Sequence, residues 1–316
     1  MELNKIRIPS LNKIFFKKRK SVGIELDSNY ARVSILGRNG ENLEFLVTPF
    51  EVELIGDNEQ DGIILSQEFK RRGIDVKTAN FSIPTSTVLV KNLSIPKVSE
   101  KDMIDAIQWN IREDLASLKS ETVYDYFVIC EDEDLCDVIV VIAKKEQIDR
   151  VLKVAESANV EVDIIEPSAI ALLNLAFLQK EKADNLKKEK NICLIHLDKN
   201  DSYLLFSNKN TVIIQPITID LNIYEKLDAD AKEQEVIRLI NEINYFFLTL
   251  QEPKVIYISG LFAKYPEIRA YAQLKFNARF ILKDINPLQS LNIRHNNNLP
   301  IQIYNTSVSL AYRGLE

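Results

Sequence analysis

The chain has 316 residues, 46% of them hydrophobic and 27% charged, enough apolar content for a large core and, at this length, for two domains. A formal net charge of -6 gives the whole protein no attraction for nucleic acid, and no apolar run reaches the roughly 20 residues that span a bilayer. Glycine is scarce: there are 8, where average usage of about 7% would give more than twice as many.

The first twenty residues, MELNKIRIPSLNKIFFKKRK, lack the unbroken apolar stretch and small-residue cleavage site of a signal peptide. They mix Ile6, Ile8, Leu11, Ile14, Phe15 and Phe16 with Lys13, Lys17, Lys18, Arg19 and Lys20. Such a segment can rest on an anionic membrane, giving peripheral association, or serve as a leader packed on the first domain. A cytoplasmic location is the simplest reading.

From Ser21 to Leu36 the residues predict two strands around a turn at Asp27, Ser28 and Asn29. Asn39 and Gly40 mark a second turn before a strand over Leu43–Val47. A helix closes at Glu68–Arg72, with Gly73 as its stop. Asn80–Pro84 and Val88–Leu93 read as strands, and Pro96 ends the second. Ser99 and Asp102 form a capping-box-like start to a helix whose buried face is Ile104, Ile107, Ile111, Leu115 and Leu118.

Tyr124–Ile129 and Val138–Ala143 are strands joined by an acidic segment, Glu131 to Asp137, read as a solvated hairpin tip rather than a cation or basic-partner site. A further helix carries Ile148, Val151, Leu152 and Ala155, and an apolar helix spans Pro167–Lys180. The charged run EKADNLKKEK follows as a connection. The second half then opens as the first does, with strands over Asn191–Leu197 and Ser202–Ser207 around a turn at Lys199–Asp201. Thr211–Ile214 is another strand, followed by a long helix from about Asp230 to Leu250, a strand over Val255–Ser259 ending at Gly260, and a closing helix within Tyr304–Leu315. Two halves with the same opening suggest an architectural duplication.

Several of these segments together resemble the actin-like fold, in the PilM branch of type IV pilus assembly proteins related to the cell-division protein FtsA. VGIELDSNYARVSIL is similar to that family's first phosphate loop, NICLIHLDKNDSYLLF to its second, and VIYISGLFAKYPEI to its adenosine-side motif. VLVKNLSIPKVSEKDMIDAIQWNIREDLASLKSETVYDYFVI follows a typical PilM stretch without a gap, and SVSLAYRGLE is similar to the family's end. The resemblance implies an α/β, duplicated, ribonuclease H-like two-domain fold with an inserted side subdomain. Its expected divisions are a leader over 1–20, a first domain over 21–78, 161–185 and 300–316, a side subdomain over 79–160, and a second domain over 190–299.

Actin-like proteins hold ATP and Mg²⁺ between two turns whose small residues offer backbone N–H groups to phosphate. Here Asp27 and Asp198 stand where the family has glycine, Glu25 and His196 where it has aspartate, and Leu261 and Phe262 where it has glycines beside adenine. A carboxylate about 4 Å from a phosphate charge opposes it by roughly 4 kcal/mol at an intermediate dielectric. ATP and Mg²⁺ are therefore not expected to bind, and no catalytic residue is expected. Any residual nucleotide contact would fall to Glu25, Ser28, Asn29, Ser202, Ser259 and Gly260.

The resemblance implies a cytoplasmic scaffold at the inner face of the inner membrane. Its partner would be the cytoplasmic tail of a PilN-like bitopic membrane protein, with pilus motor ATPases and the platform protein as further partners and nucleic acid excluded. By position Leu93, Pro96, Ile107, Trp109, Ile111, Leu115 and Tyr126 lie on or under the side subdomain that would hold that tail. Trp109 is off the helix's apolar face and suits an exposed anchor. The alternatives are a nucleotide-dependent switch or weak ATPase of the same machine, and a polymerising cell-division protein. No metal site is expected: Cys130 and Cys136 are too widely spaced for a zinc knuckle, and Cys193 and His196 fall on opposite faces of one strand. His295 reads as a loop residue.

Overall fold

The computed structural model describes residues 20–40, 42–131, 133–182, 191–208, 210–248, 250, 254–275, 280–294 and 299–316. Most of the leader, most of the charged run after 180, and His295 lie outside them. The first half contains β1 (Lys20–Leu26), β2 (Tyr30–Asn39), β3 (Asn42–Glu53), α1 (Asn58–Arg71), β4 (Thr78–Ile83), β5 (Val88–Pro96), α2 (Glu100–Ser117), β6 (Thr122–Glu131), β7 (Leu135–Lys144), α3 (Lys145–Ala158), β8 (Glu161–Pro167) and α4 (Ser168–Lys182). The second contains β9 (Ile192–Leu197), β10 (Tyr203–Ser207), β11 (Val212–Pro216), α5 (Leu221–Tyr224), α6 (Ala229–Leu248), β12 (Val255–Gly260), α7 (Pro266–Lys275), β13 (Ile281–Asp284), α8 (Pro287–Ser290), β14 (Ile293–Arg294) and α9 (Asn305–Arg313).

Two sheets share one topology. In the first, β3, β2 and β1 form an antiparallel meander, and β4 then β8 add in parallel beyond β1. In the second, β11, β10 and β9 repeat the meander, and β12 then β13 add in parallel beyond β9. The duplication suggested by the two strand-turn-strand openings is thus carried through every strand pairing. Short β14 returns from the second half to lie parallel to β3.

Period-two alternation sorts the first sheet. Val22, Ile24, Leu26, Ala31, Val33 and Ile35 join the core under α1 and α3. The opposite face receives α9 so closely that a Cβ at Gly23 would strike Ser307 O and Ala311 N. That closeness explains a glycine inside a buried strand.

A third sheet, β5-β7-β6, forms the side unit. Val138, Val140 and Ile142 face α2, whereas Ile139 and Val141 pack on the large core of the second half. Burial on both faces is why β7 reads as an unbroken apolar run. Asn92 joins β5 to β11 reciprocally, donating to Val212 O at 2.7 Å and accepting from Val212 N at 2.7 Å. Although β4 and α3 are close in sequence to this unit, β4 pairs with β1 and β8 and α3 packs on α1.

Two helix faces differ from expectation. On α2 the buried line runs through Met103, Ile107 and Ile111, leaving Ile104 at 47% exposure. On α3 Val154 and Ala158 join Val151 and Ala155, leaving Leu152 exposed. In both, residues one to two positions apart satisfy the same 3.6 period, and the width of the contact decides between them.

Candidate functional site

The β1–β2 and β9–β10 turns come from corresponding places in the two sheets and meet across the cleft between the halves. Each is closed on itself by a buried carboxylate. Asp27 Oδ1 accepts from Ser28 N at 2.6 Å and Ser28 Oγ at 2.9 Å, and also from Asn200 Nδ2 of the opposite turn at 2.6 Å. Asp198 Oδ1 accepts from Lys199 N at 2.7 Å, while Asp198 N donates to Ser202 Oγ at 2.9 Å. Asp201 fixes the second turn to the first half, accepting from Thr85 N at 2.8 Å, Ser86 N at 3.0 Å and Ser168 Oγ at 2.5 Å.

Arg32 lies at the centre, only 1% exposed. It occupies the β2 face opposite Ala31 and Val33, and strand register puts it directly between Glu25 on β1 and Glu51 on β3. Its fork holds both oxygens of Asp198, with Nη2 3.1 Å from Oδ1 and Nη1 on Oδ2, and its Nε donates to Glu51 at 2.8 Å. Glu25 Oε2 lies 3.5 Å from Nη1 without a hydrogen bond. The guanidinium also sits 4.3 Å from the centre of the Tyr30 ring.

One cation among these carboxylates divides its effect unevenly. Burial would raise Asp198, but Arg32 outweighs it and holds Asp198 below the usual carboxylate range. Glu25 is pushed up to about 8 by burial, which Arg32 opposes and Asp198 and Asp27 reinforce. His196, stacked on Tyr203 at 5.0 Å, is pushed down to about 4 by burial and is neutral at ordinary pH.

The residues singled out for nucleotide fall as follows. Glu25 stands beside Arg32. Ser28 and Asn29 are exposed on the first turn, and Ser202 is tied into the second. Ser259 accepts from Asn305 Nδ2 at 2.9 Å at the start of α9. Gly260 has φ +81°, and a Cβ there would meet Leu197 O and approach His196 Cε1 at 3.0 Å, so no other residue fits. Leu261 and Phe262 are buried in the second-half core. Arg32, Glu51, Asn200 and Asp201 were not anticipated; the one visible signal was a charged residue, Arg32, inside an apolar strand.

Of the residues singled out for a partner, Ile107 and Ile111 are fully buried between α2 and its sheet, and Leu93, Leu115 and Tyr126 pack around them. Pro96 is exposed, and Trp109 is 68% exposed with the Arg112 guanidinium 3.9 Å over its ring. A separate groove of about 230 Å³ opens where β5 diverges from β11, lined by Val88, Leu89, Val90, Ile214 and Pro216 over Thr85, Asp201 and Tyr203. None of Cys130, Cys136 and Cys193 forms a disulfide among the described residues. Among the described residues no helix is long and apolar enough to cross a membrane.

Two equivalent sheets meeting at paired turns, with a side sheet set into the first half, define an actin-like protein. The chain belongs to the family of type II secretion system (T2SS) protein L, whose family model matches residues 63–249, more than half of the sequence. No curated protein matches the sequence. Among solved structures it is similar to the PilM-PilN type IV pilus biogenesis complex, at 15% identity and a TM-score of 0.75 over 95% of this chain and 99% of that one. A Bacteroides thetaiotaomicron protein with an actin-like ATPase fold shares 13% identity and a TM-score of 0.50 over 87% and 96% of the two chains. The ethanolamine utilization protein EutJ from Carboxydothermus hydrogenoformans gives 9%, 0.50, 92% and 89%. These likenesses carry the fold.

Proposed function

We propose that this chain is a non-catalytic actin-like scaffold of an inner-membrane assembly platform for secretion or type IV pili, docked on its cytoplasmic side to the tail of a PilN-like bitopic protein. The carrying observation is that the cleft supplies its own anions. Ser28 N and Lys199 N, which an actin-like site would offer to phosphate, donate to Asp27 and Asp198, and Arg32 neutralises Asp198. A triphosphate would have to displace buried carboxylates from their donors and then sit beside them, so these residues do not fit ATP and Mg²⁺. The scaffold reading predicts no heat above dilution when Mg-ATP is titrated into the full chain. Sub-millimolar binding would favour the nucleotide-operated switch instead.

The groove between β5 and β11 suits an extended tail. Both are outer strands of their sheets, so a peptide between them gains backbone hydrogen bonds while Val88, Val90, Ile214 and Pro216 supply apolar walls. The titration partner is a synthetic N-terminal tail of the bitopic inner-membrane protein from the same machine. Ile214→Lys is expected to weaken its binding by roughly tenfold or more, as for an interface anchor. Binding unchanged by Ile214→Lys but abolished by Trp109→Ala would move the interface to the outer face of α2. Motor ATPases and the platform protein are further partners on this reading.

A further inference from the structure

The cleft retains unpartnered ligating atoms after its hydrogen bonds are counted. His196 is 2% exposed, yet among the described residues neither Nδ1 nor Nε2 has a hydrogen-bond partner, and Nε2 lies 3.8 Å from Asp198 Oδ2. Glu25 Oε2 is likewise buried without a hydrogen bond. One ligand atom each from Glu25, His196 and Asp198 lies within 4.8 Å of the other two. In a tetrahedral site with bonds of about 2.1 Å the ligand atoms stand roughly 3.4 Å apart, so the three side chains close in on a bound ion.

We propose that Glu25, His196 and Asp198 form a binding site for a borderline divalent transition metal of the Zn²⁺ type, clipping the first sheet to the second. The donor set selects the metal class. A neutral imidazole with two carboxylates suits Zn²⁺ or Co²⁺, whereas Mg²⁺ prefers oxygen ligands and retained water. Charge is compatible: Arg32 is one cation against Asp198 and Glu51, and a bound metal ion takes the place of the proton on Glu25. Arg32 then becomes the outer partner that orients Asp198, as metal-bound carboxylates commonly require. Tyr203 stacks on the imidazole and Gly260 leaves it room, so the ring is already held. The ligands come from both halves, Glu25 from β1 and the other two from β9 and the turn after it. The site rests on the reading that the cleft holds no nucleotide, whereas tail binding at the groove between β5 and β11 is a separate reading that the metal titration does not touch.

The test uses the full chain stripped with chelator and titrated with Zn²⁺, Co²⁺ and Mg²⁺. Wild type is expected to bind one equivalent of Zn²⁺, to gain thermal stability from Zn²⁺ but not Mg²⁺, and to give a Co²⁺ absorption spectrum of nitrogen and oxygen ligands. His196→Gln and Glu25→Gln should each weaken Zn²⁺ by more than about tenfold, since even an outer-shell loss costs that much. Cys136→Ser should change nothing. Absence of Zn²⁺ binding, equal affinity in His196→Gln, or thiolate charge-transfer bands in the Co²⁺ spectrum would overturn the proposal. If His196→Gln does not fold, the wild-type Co²⁺ spectrum together with Glu25→Gln decides.

Discussion

Arg32→Met is expected to lower the unfolding free energy by about 3–5 kcal/mol, the usual effect of removing one member of a buried ion pair. Arg32 is fully enclosed and Asp198 is 1% exposed, so the substitution leaves a carboxylate with neither water nor cation. Glu25 and Glu51 lose the same neighbour. Arg32→Lys should recover only part of the loss, because a point charge cannot hold both oxygens of Asp198 while also reaching Glu51. The double variant Arg32→Met with Asp198→Asn should be more stable than Arg32→Met alone, since it removes the orphaned charge. Urea unfolding of the metal-free chain measures all three. The exposed Glu68–Arg71 pair is the control: Arg71→Ala should change stability by less than about 1 kcal/mol. An Arg32→Met loss no larger than that control would mean the central cation is dispensable.

The strength of this expectation comes from topology. Arg32 and Asp198 are 166 positions apart, one on β2 of the first sheet and the other in the turn after β9 of the second. Asn200 to Asp27 and Asp201 to Thr85 and Ser86 cross the same boundary. Three buried carboxylates thus join the halves where a bound phosphate chain would otherwise do so, which suits a scaffold whose shape does not depend on a nucleotide.

Much of the fold was legible because its signals are local. Turn formers between apolar runs marked β1–β2 and β9–β10, and the replacement of glycine by Asp27 and Asp198 was visible before any contact was known. What those aspartates bind was not legible, because Arg32 and Asn200 become their partners only when the sheets are apposed. The same limit hid β14, two residues long and defined wholly by its pairing with β3. Ile104 and Leu152 were misplaced for another reason: each fits the helical period, and only the neighbouring element selects Met103 and Val154. The groove between β5 and β11 was also invisible, since it arises from two strand edges separated by more than a hundred residues.

Glu166→Gln is expected to stabilise the protein in a pH-dependent manner. Glu166 lies near the end of β8, the outer strand of the first sheet, and is 9% exposed; Oε1 has no hydrogen-bond partner among the described residues, and Arg313 Nε is 4.0 Å from Oε2. Burial pushes its carboxyl from 4.5 up to about 7, with Arg313 opposing and Glu316 reinforcing. Because the folded chain holds this proton more tightly than the unfolded chain, stability falls as pH rises through the interval from 4.5 to about 7 and stays lower above it. Glutamine keeps the shape and cannot ionise. The gain over wild type should be near zero at the acid end of that interval and approach roughly 3 kcal/mol by about pH 8. Paired urea titrations at the two ends measure it. A gain that does not change with pH would trace the effect to packing, whereas a loss at both ends would show that the Arg313 contact outweighs the cost of burying the charge.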